Sequence, residues 1–278
     1  MVFRIVAKRG RDLAGKTCGT GWWQGSTVRS VTLRVAESGD GAQAQWLAWD
    51  GDRVVGEMEV WERPDGTCGL GFGPCTPEAY SLLAAQVSGD VLTTVDAADR
   101  AAVDGLAGAG FTTVRIEDRY SIPVRPVEAS VPQGLRVISA ADTSLELLMA
   151  LDCALREDVP GSAGWQPDAE WFREETYDSP YFDPSTYLVA LDGERYVGLV
   201  RIWNGPRPLP RLGLIGVLPE YRRLGLARAL IALAFDVLVA RGATEVTAEA
   251  DRTNTASTTL LAQLGGEVTG SDVELWRG

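Results

Sequence analysis

The chain has 278 residues, about twice the usual domain size, so two compact domains are a better expectation than one. Hydrophobic residues make up 45% and charged residues 23%, a balance that excludes intrinsic disorder and fibrous repeats. The net charge of -12 argues against nucleic acid and anionic membrane as partners, and the complete absence of histidine removes imidazole-dependent hydrolase triads and most catalytic zinc sites.

The first segment, residues 1–30, differs from the rest of the chain because it is basic. It carries six lysines and arginines against Asp12 alone, and its glycines break any periodicity. We interpret it as a flexible basic tail, with a basic arm for an acidic partner as the alternative. No apolar run approaches the roughly 20 residues that a bilayer span requires, so we expect a cytoplasmic protein without a membrane partner.

The cysteines are too few and too scattered for a disulfide scaffold or a metal site. None of them forms a CxxC pair or a spacing typical of metal ligands. We therefore predict free thiols in a reducing cytoplasm, and no metal. The four cysteines are Cys18, Cys68, Cys75 and Cys153.

A diverged internal repeat organises the chain. Residues 48–56 return as residues 190–198 at a constant shift of 142, and both copies end at a tryptophan, Trp61 and Trp203. Each copy predicts a β-hairpin, because an apolar strand leads into an Asp-Gly turn and a returning strand follows. The repeat indicates two domains of common ancestry.

Two further matches show what each copy possesses. Residues 33–35 resemble residues 135–137 at a shift of 102, and residues 106–111 resemble residues 261–266 at a shift of 155. Relative to the first copy, the second gains 40 residues before the hairpin and 13 after it. We expect function in these additional segments. A linker rich in proline, residues 123–134, separates a first domain over 31–122 from a second over 135–278.

The second half contains a strand, a glycine loop and a helix in succession. Residues 211–217 predict the strand, residues 221–227 lead out of a turn, and residues 228–240 predict a helix. The unpaired N–H groups at the start of such a helix suit a pyrophosphate. Six arginines oppose Glu220 alone over residues 201–230, so a positive field lies within the acidic chain. They are Arg201, Arg207, Arg211, Arg222, Arg223 and Arg228.

The motif Val217-x-Pro219-x-Tyr221-Arg222-x-x-Gly225-x-Ala227 resembles the acetyl-CoA signature of the GNAT acyltransferase superfamily. Its core is Arg or Gln, two residues, Gly, one residue, and Gly or Ala. The strand over 244–249 and the helix carrying Asn254, Ser257, Leu260 and Leu264 match at the superfamily's usual spacing. The resemblance implies an α/β (α+β, three-layer) fold class with two tandem GNAT folds, each a mixed, mostly antiparallel sheet flanked by helices.

The resemblance also implies the cosubstrate, acetyl-CoA, and the residues that bind it. The backbone of Val217 would pair with the pantetheine arm, and the N–H of Val217 or Leu218 would polarise the thioester carbonyl. The N–H groups of residues 223–228 would hold the pyrophosphate. Asn254 would lie near the cofactor, although it could equally be a helix N-cap. The implied cofactor-binding residues are Val217, Leu218, Arg222, Arg223, Leu224, Gly225, Leu226, Ala227, Arg228 and Asn254.

The catalytic groups depart from the superfamily's pattern. Many members place a tyrosine seven residues after the asparagine to protonate departing CoA, whereas this chain has Leu261 there. Water or Ser257 would then protonate the thiolate. Glu220 and Glu249 are the nearest candidate bases for the acceptor amine, acting through ordered water, and either could instead be a solvated or ion-paired acid.

The acceptor is predicted from the 40-residue insertion, which is strongly acidic. Residues 141–185 carry eleven acidic residues against Arg156 and Arg173, a balance that favours a small cationic amine. The first copy lacks the arginine signature, so we predict a degenerate domain there. We expect the protein to be a monomer or a homodimer. The leading hypothesis is an N-acetyltransferase. The alternatives are a non-catalytic acyl-CoA-binding or sensor protein and an O-acetyltransferase.

Overall fold

The computed structural model describes residues 31–37, 44–63, 66–162, 166–205 and 208–278. These residues cluster into two compact units. The first unit extends to Glu117 and includes Gly270–Gly278, and the second unit is Asp118–Thr269. The predicted basic tail, residues 1–30, lies outside the described residues. No helix in the described ranges is long and apolar enough to span a membrane.

The first unit contains five complete strands of its own and two helices. They are β1 (Val31–Glu37), β2 (Ala44–Asp50), β3 (Arg53–Glu62), β4 (Cys68–Phe72), α1 (Pro77–Ala84), β5 (Val91–Asp96) and α2 (Arg100–Gly108). Strand β6 (Thr112–Pro123) follows and passes into the second unit. Neighbouring strands are antiparallel from β1 to β4, whereas β4 and β5 are parallel. The buried side chains of Met58, Leu70, Leu83 and Leu106 lie at the centre of this core.

The second unit repeats this strand order with two additional helices. Its elements are β7 (Leu135–Ser139), α3 (Leu145–Arg156), α4 (Ala169–Thr176), β8 (Tyr187–Asp192), β9 (Arg195–Trp203), β10 (Arg211–Val217), α5 (Leu226–Ala240), β11 (Glu245–Asp251) and α6 (Thr255–Gln263). The final strand is β12 (Glu267–Arg277). Strands β7 to β10 are antiparallel neighbours, and β10 is parallel to β11. The predicted fold class, mixed sheets flanked by helices, is confirmed.

Helices cover both faces of the sheet in the second unit. Because side chains alternate along a strand, Leu199 of β9 packs in the core under α3 and α4, while Val200 packs in the core under α5. Helix α5 is rich in alanine and leucine, and its buried residues include Leu230 and Phe235. The segment that the sequence marks as an insertion supplies α3 and α4, and hence one whole layer of this unit.

The two hairpins of the repeat match in backbone detail. Gly51 and Gly193 hold the two turns in the left-handed region, with φ of 60° and 57°. The ladder slips by one residue directly after Ala48 in β2 and directly after Ala190 in β8. Both features keep the shift of 142 that the sequence predicts, since turn glycines with positive φ and the strand irregularity beside them are locally encoded.

A tryptophan packs on a glycine of the next strand in each unit. An added Cβ at Gly69 would overlap the ring of Trp61, and one at Gly213 would overlap the ring of Trp203. We expect Gly69→Ala or Gly213→Ala to destabilise the protein by about 1–3 kcal/mol, because a packed indole cannot shift without strain. Thermal unfolding measures this effect. Gly108→Ala is the control. Gly108 lies in α2, and an added Cβ there would make only an ordinary van der Waals contact, so the substitution should be neutral or slightly stabilising.

The unit boundaries differ from the predicted domains in one respect. The sequence predicts that each domain is one contiguous segment, over 31–122 and 135–278. In the structure, the C-terminal part of β12 pairs antiparallel with β5 and belongs to the first unit, while residues 118–123 of β6 belong to the second. Each half of the chain therefore contributes the end of its last strand to the other unit.

The cysteines divide into two groups. Cys68 is disulfide-bonded, so the prediction of a free thiol is wrong there. Cys75 and Cys153 are free. Burial raises the pKa of the Cys75 thiol to about 11 and also raises the pKa of Cys153. Both thiols are therefore protonated at neutral pH and are poor nucleophiles.

Candidate functional site

The parallel strands β10 and β11 separate soon after they begin to pair. Ladder partners to β11 occur only at Arg211 and Leu212 among the described residues of β10. The ladder from β10 to β9 slips between Leu212 and Leu214 and then continues to Val217. A gap thus opens between the carboxyl-terminal halves of β10 and β11, at the edge where ligands bind in parallel sheets.

The hydrogen-bond pattern of β10 identifies which backbone groups face this gap. The Leu218 N–H donates to the Val197 carbonyl at 2.9 Å, on the β9 side. Because antiparallel bonding alternates along a strand, the N–H groups of Ile215 and Val217 point to the β11 side. Of the two backbone groups that sequence analysis names for polarising a carbonyl, Leu218 is therefore engaged and Val217 faces the gap.

The loop between β10 and α5 presents a run of unpaired N–H groups, which we call the cradle (residues 223–228). Arg223 has φ of 65°, the only positive value for a non-glycine residue in the described ranges, and Gly225 has φ of 83°. The first helical bond is from the Ala229 N–H to the Gly225 carbonyl at 3.0 Å. No N–H of residues 223–228 donates to another described residue. Together with the helix dipole, these donors form an anion-binding site suited to two adjacent phosphates.

Side chains at both ends of the cradle hold it against the sheet. Leu226 is buried in the core under α5, which fixes the first turn of the helix. The Arg222 Nε donates to the Val217 carbonyl at 3.0 Å, and its guanidinium also pairs with Asp158, after α3. Arg222 therefore links the end of β10 to the α3–α4 layer. Leu224 is exposed.

The two predicted bases are both ion-paired. Glu220 pairs with Arg195, and a hydrogen bond to its own backbone N–H together with this ion pair lowers the pKa of Glu220. Glu249 of β11 accepts a hydrogen bond of 2.6 Å from the Arg211 Nε of β10. Glu249 thus lies on a strand that borders the gap, whereas Glu220 lies in the turn after β10 and its lowered pKa makes it a weaker base. Their catalytic role stays a prediction.

Helix α6 begins as an asparagine-capped helix. The Asn254 side chain accepts from the Ser257 N–H at 3.1 Å, so Asn254 is the N-cap that the sequence allowed as an alternative. The Ser257 hydroxyl has no hydrogen-bond partner among the described residues. Leu261, in the position of the superfamily's tyrosine, is buried in the core under α5. A contact between Asn254 or Ser257 and the cofactor stays a prediction.

The acidic segment over 141–185 is partly neutralised within the second unit. Asp158 pairs with Arg222, Asp183 pairs with Arg241, and Asp152 pairs with Arg156 and Arg201. The pairs of Asp152 with Arg201 and of Asp158 with Arg222 connect α3 and the segment after it to β9 and to the loop after β10. Fewer acids are thus available to attract a cationic acceptor than the sequence alone indicates.

A buried polar cluster lies under α3 and was missed by the sequence analysis. The Arg201 Nη1 of β9 donates to the Asp152 carboxylate at 3.3 Å, and the guanidinium lies 4.8 Å from the Trp203 ring centre. Asp152 and Arg201 are both almost fully buried. The spacing of Asp152 and Arg156, four residues apart on a helix, was the one available signal; pairing with Arg201 depends on the fold.

Comparison with known proteins gives an independent assignment. A family model described as Acetyltransferase (GNAT) family matches residues 153–265. A mycothiol acetyltransferase of Thermobispora bispora is 29% identical over 168 residues, covering 57% of this chain and 56% of the relative. Another, from Kocuria rhizophila, is 28% identical over 261 residues and 85% of each chain. The chain thus spans about half of the first relative's length and most of the second's.

Solved structures agree on the fold. A GCN5-related N-acetyltransferase from Sphaerobacter thermophilus aligns with a TM-score of 0.67 at 18% identity, over 86% of this chain and 82% of that structure. A tandem GNAT protein from the clavulanic acid biosynthesis pathway aligns with a TM-score of 0.61 at 14% identity, over 90% and 84%. These likenesses extend across both units. Over residues 153–265 the second unit is therefore similar to the GNAT acetyltransferases, and the chain shares the fold of the solved structures.

Proposed function

We propose that the chain transfers an acetyl group from acetyl-CoA to the amine of a small acceptor by direct attack, within the second unit. The observation that carries this proposal is the cradle, whose six N–H groups have no acceptor in the described part of the chain and lie beside a gap between two parallel strands. The thioester supplies the electrophilic carbonyl and the thiolate leaving group. The chain's own groups bind acetyl-CoA, orient the acceptor and polarise the thioester carbonyl.

Cofactor binding in this proposal divides between backbone and side chains. The N–H groups of residues 223–228 hold the pyrophosphate, and the pantetheine arm follows the gap-facing edge of β10. The Val217 N–H donates to the thioester oxygen, because it points into the gap while the Leu218 N–H does not. Arg222 keeps this edge in place through the Val217 carbonyl.

Proton transfer relies on water and on Glu249. An acceptor amine is mostly ammonium at neutral pH and must lose a proton before attack. We favour Glu249 over Glu220 as the base acting through water because β11 borders the gap. Both carboxylates are ion-paired, Glu249 with Arg211 and Glu220 with Arg195. Ser257, whose hydroxyl is unpartnered, or water then protonates the thiolate.

The first unit is, in this proposal, a degenerate copy without cofactor chemistry. In its loop from β4 to α1, the Gly73 N–H donates to Glu57 and the Thr76 N–H donates to Val55. Pro74 and Pro77 have no N–H to donate. At the matching place in the first unit, two N–H groups thus donate within the unit and two are absent, whereas no N–H of the cradle has an acceptor among the described residues.

Steady-state release of thiol from acetyl-CoA tests this function. The panel contains putrescine, spermidine, lysine and an aminoglycoside. We expect one amine to raise thiol release at least about 10-fold over the rate without acceptor. Tight acetyl-CoA binding without turnover on any member would favour the non-catalytic sensor, for which buried Leu261 is the supporting observation. Turnover with a hydroxyl acceptor alone would favour O-acetylation.

A further inference from the structure

Glu175 of helix α4 differs from every other acidic residue of the segment 141–185. Eight of the eleven acids are exposed, and Asp152 and Asp183 are buried in ion pairs with arginines. Glu175 is half-buried, and its carboxylate forms no hydrogen bond or ion pair with any residue that the structure describes. Among the described residues of this segment, it is therefore the acid that is sheltered from solvent and still available to a ligand.

The neighbours of Glu175 place it near the gap between β10 and β11. Its carboxylate is attracted by the guanidinium of Arg201 on β9. Arg201 does not neutralise Glu175 by an ion pair, because its Nη1 donates to Asp152 and its guanidinium lies over the ring of Trp203. Arg201 is also the ladder partner of Leu214, in the part of β10 that borders the gap. Glu175 thus lies near this part of β10, on the face covered by α3 and α4.

Two further polar atoms beside Arg201 lack partners. The Tyr187 hydroxyl and the Arg201 Nε are buried and have no hydrogen-bond partner among the described residues. Tyr187 is the ladder partner of Arg201 on β8, and only 1% of it is exposed. Buried polar atoms without partners are uncommon in native proteins and mark places where a bound molecule or an ordered water completes the hydrogen bonding. The surroundings of Glu175 therefore have the character of a binding site.

The charge of Glu175 lowers the stability of the folded chain. Burial and then repulsion from Glu174 raise the pKa of Glu175, and the attraction by Arg201 only partly offsets them. A carboxyl group whose pKa is raised on folding destabilises the protein above that raised pKa, and this cost disappears below the pKa of the unfolded chain. At neutral pH the cost is present. A cation bound to Glu175 would offset it, and destabilising residues are typical of functional sites.

We propose that Glu175 binds a second cationic group of the acceptor, so that the substrates are diamines or polyamines. One amine attacks the thioester while the other stays an ammonium ion beside Glu175. The proposal rests on the proposed function, because it assumes that acetyl transfer takes place at Val217. Leu214 and Val217 are three residues apart, which is roughly 10 Å along a strand. The two nitrogens of a good substrate should therefore be separated by a distance of this order.

Steady-state kinetics with matched amines test the proposal on the full chain. The series pairs diaminobutane, diaminohexane and diaminooctane with butylamine, hexylamine and octylamine. We expect the wild type to have a KM at least about 10-fold lower for diaminooctane than for octylamine, because the second ammonium forms a charge-assisted hydrogen bond. Diaminobutane is too short to reach both places and should show little preference. Glu175→Gln should bring the ratio of the two KM values close to one.

A neighbouring acid provides the matched control. Glu174→Gln removes an exposed carboxylate from the same turn of α4 and should keep the wild-type preference for the diamine. The unfolding temperature of Glu175→Gln should equal or exceed that of the wild type, because a buried charge is removed. A lower unfolding temperature would show that Glu175 serves the fold, and would count against the proposal.

The outcomes separate this proposal from the proposed function. Equal KM values for diamines and monoamines in the wild type, or a Glu175→Gln variant that retains the preference, would overturn the second-cation site and leave acetyl transfer standing. A Glu175→Gln variant in which kcat falls equally for both kinds of amine would also overturn it. No turnover with any amine would overturn both proposals.

Discussion

Arg222→Glu is expected to lower the affinity for acetyl-CoA at least about 100-fold. The substitution removes the hydrogen bond from Arg222 to the Val217 carbonyl and places a carboxylate beside both the cradle and Asp158. Loss of one charge-assisted bond costs about 1.5–3 kcal/mol, and repulsion between the new carboxylate and a pyrophosphate adds to it. About 2.7 kcal/mol already corresponds to 100-fold in Kd.

Matched variants separate charge from geometry in this test. Arg222→Gln keeps a donor for the Val217 carbonyl and should cost only about 10-fold. Asp158→Asn removes the carboxylate that competes for Arg222, so affinity should stay the same or increase. Isothermal calorimetry gives all three values, with circular dichroism as a check on folding. An Arg222→Glu variant with wild-type affinity would refute the cofactor site.

The same titration reports on the first unit. A single cradle predicts one acetyl-CoA per chain, because in the loop from β4 to α1 the Gly73 and Thr76 N–H groups donate to β3 and the two prolines have no N–H. A stoichiometry of two would mean that the first unit also binds the cofactor, and would overturn its assignment as a degenerate copy.

Local patterns predicted the elements of the candidate site well. The strand over 211–217 occurs with the predicted bounds, because its apolar residues and the turn at Pro219 are both local signals. The helix predicted over 228–240 begins two residues earlier, at Leu226. Gly225 explains this difference: its left-handed backbone ends the loop, so the helix can start directly after it.

The sequence could not predict which charged side chains form ion pairs with one another. Arg222, Glu220 and Glu249 were named for their chemistry, but their partners Asp158, Arg195 and Arg211 are brought close only by the fold. An ion pair between residues 64 positions apart, such as Arg222 and Asp158, leaves no periodic trace. Which of these charges is available to a ligand depends on the partners that the fold supplies, and the binding roles of these residues stay predictions.

The sequence also could not predict which unit the ends of β6 and β12 belong to. Sequence analysis assigned each half of the repeat to one contiguous domain, whereas the ends of β6 and β12 contribute to opposite units. Both strands follow a helix of the same repeated type, since residues 106–111 resemble 261–266. The local patterns are thus equivalent, and only packing between distant segments decides which sheet each strand joins.

Asp152→Ala is expected to destabilise the second unit by about 3–5 kcal/mol, the largest effect on stability among the substitutions considered. Asp152 is 1% exposed and Arg201 is 7% exposed, and the Arg201 Nε already lacks a hydrogen-bond partner among the residues that the structure describes. Removing the carboxylate leaves a buried guanidinium without its counter-charge. Urea denaturation followed by circular dichroism measures the loss. Asp158→Ala, at an exposed ion pair, should cost less than about 1 kcal/mol.

A double variant shows why Asp152→Ala loses stability. The loss arises either from the buried charge of Arg201 without a partner or from the lost packing of α3. Asp152→Leu with Arg201→Met replaces the ion pair by apolar side chains of similar length, and such replacements of buried pairs are often neutral or stabilising. We expect the double variant to regain most of the stability that Asp152→Ala loses, because no buried charge remains. If the double variant is as unstable as Asp152→Ala, then the ion pair itself holds α3 on the sheet. If Asp152→Ala costs less than about 1 kcal/mol, then Arg201 does not depend on Asp152 and the buried pair is not the link between α3 and β9.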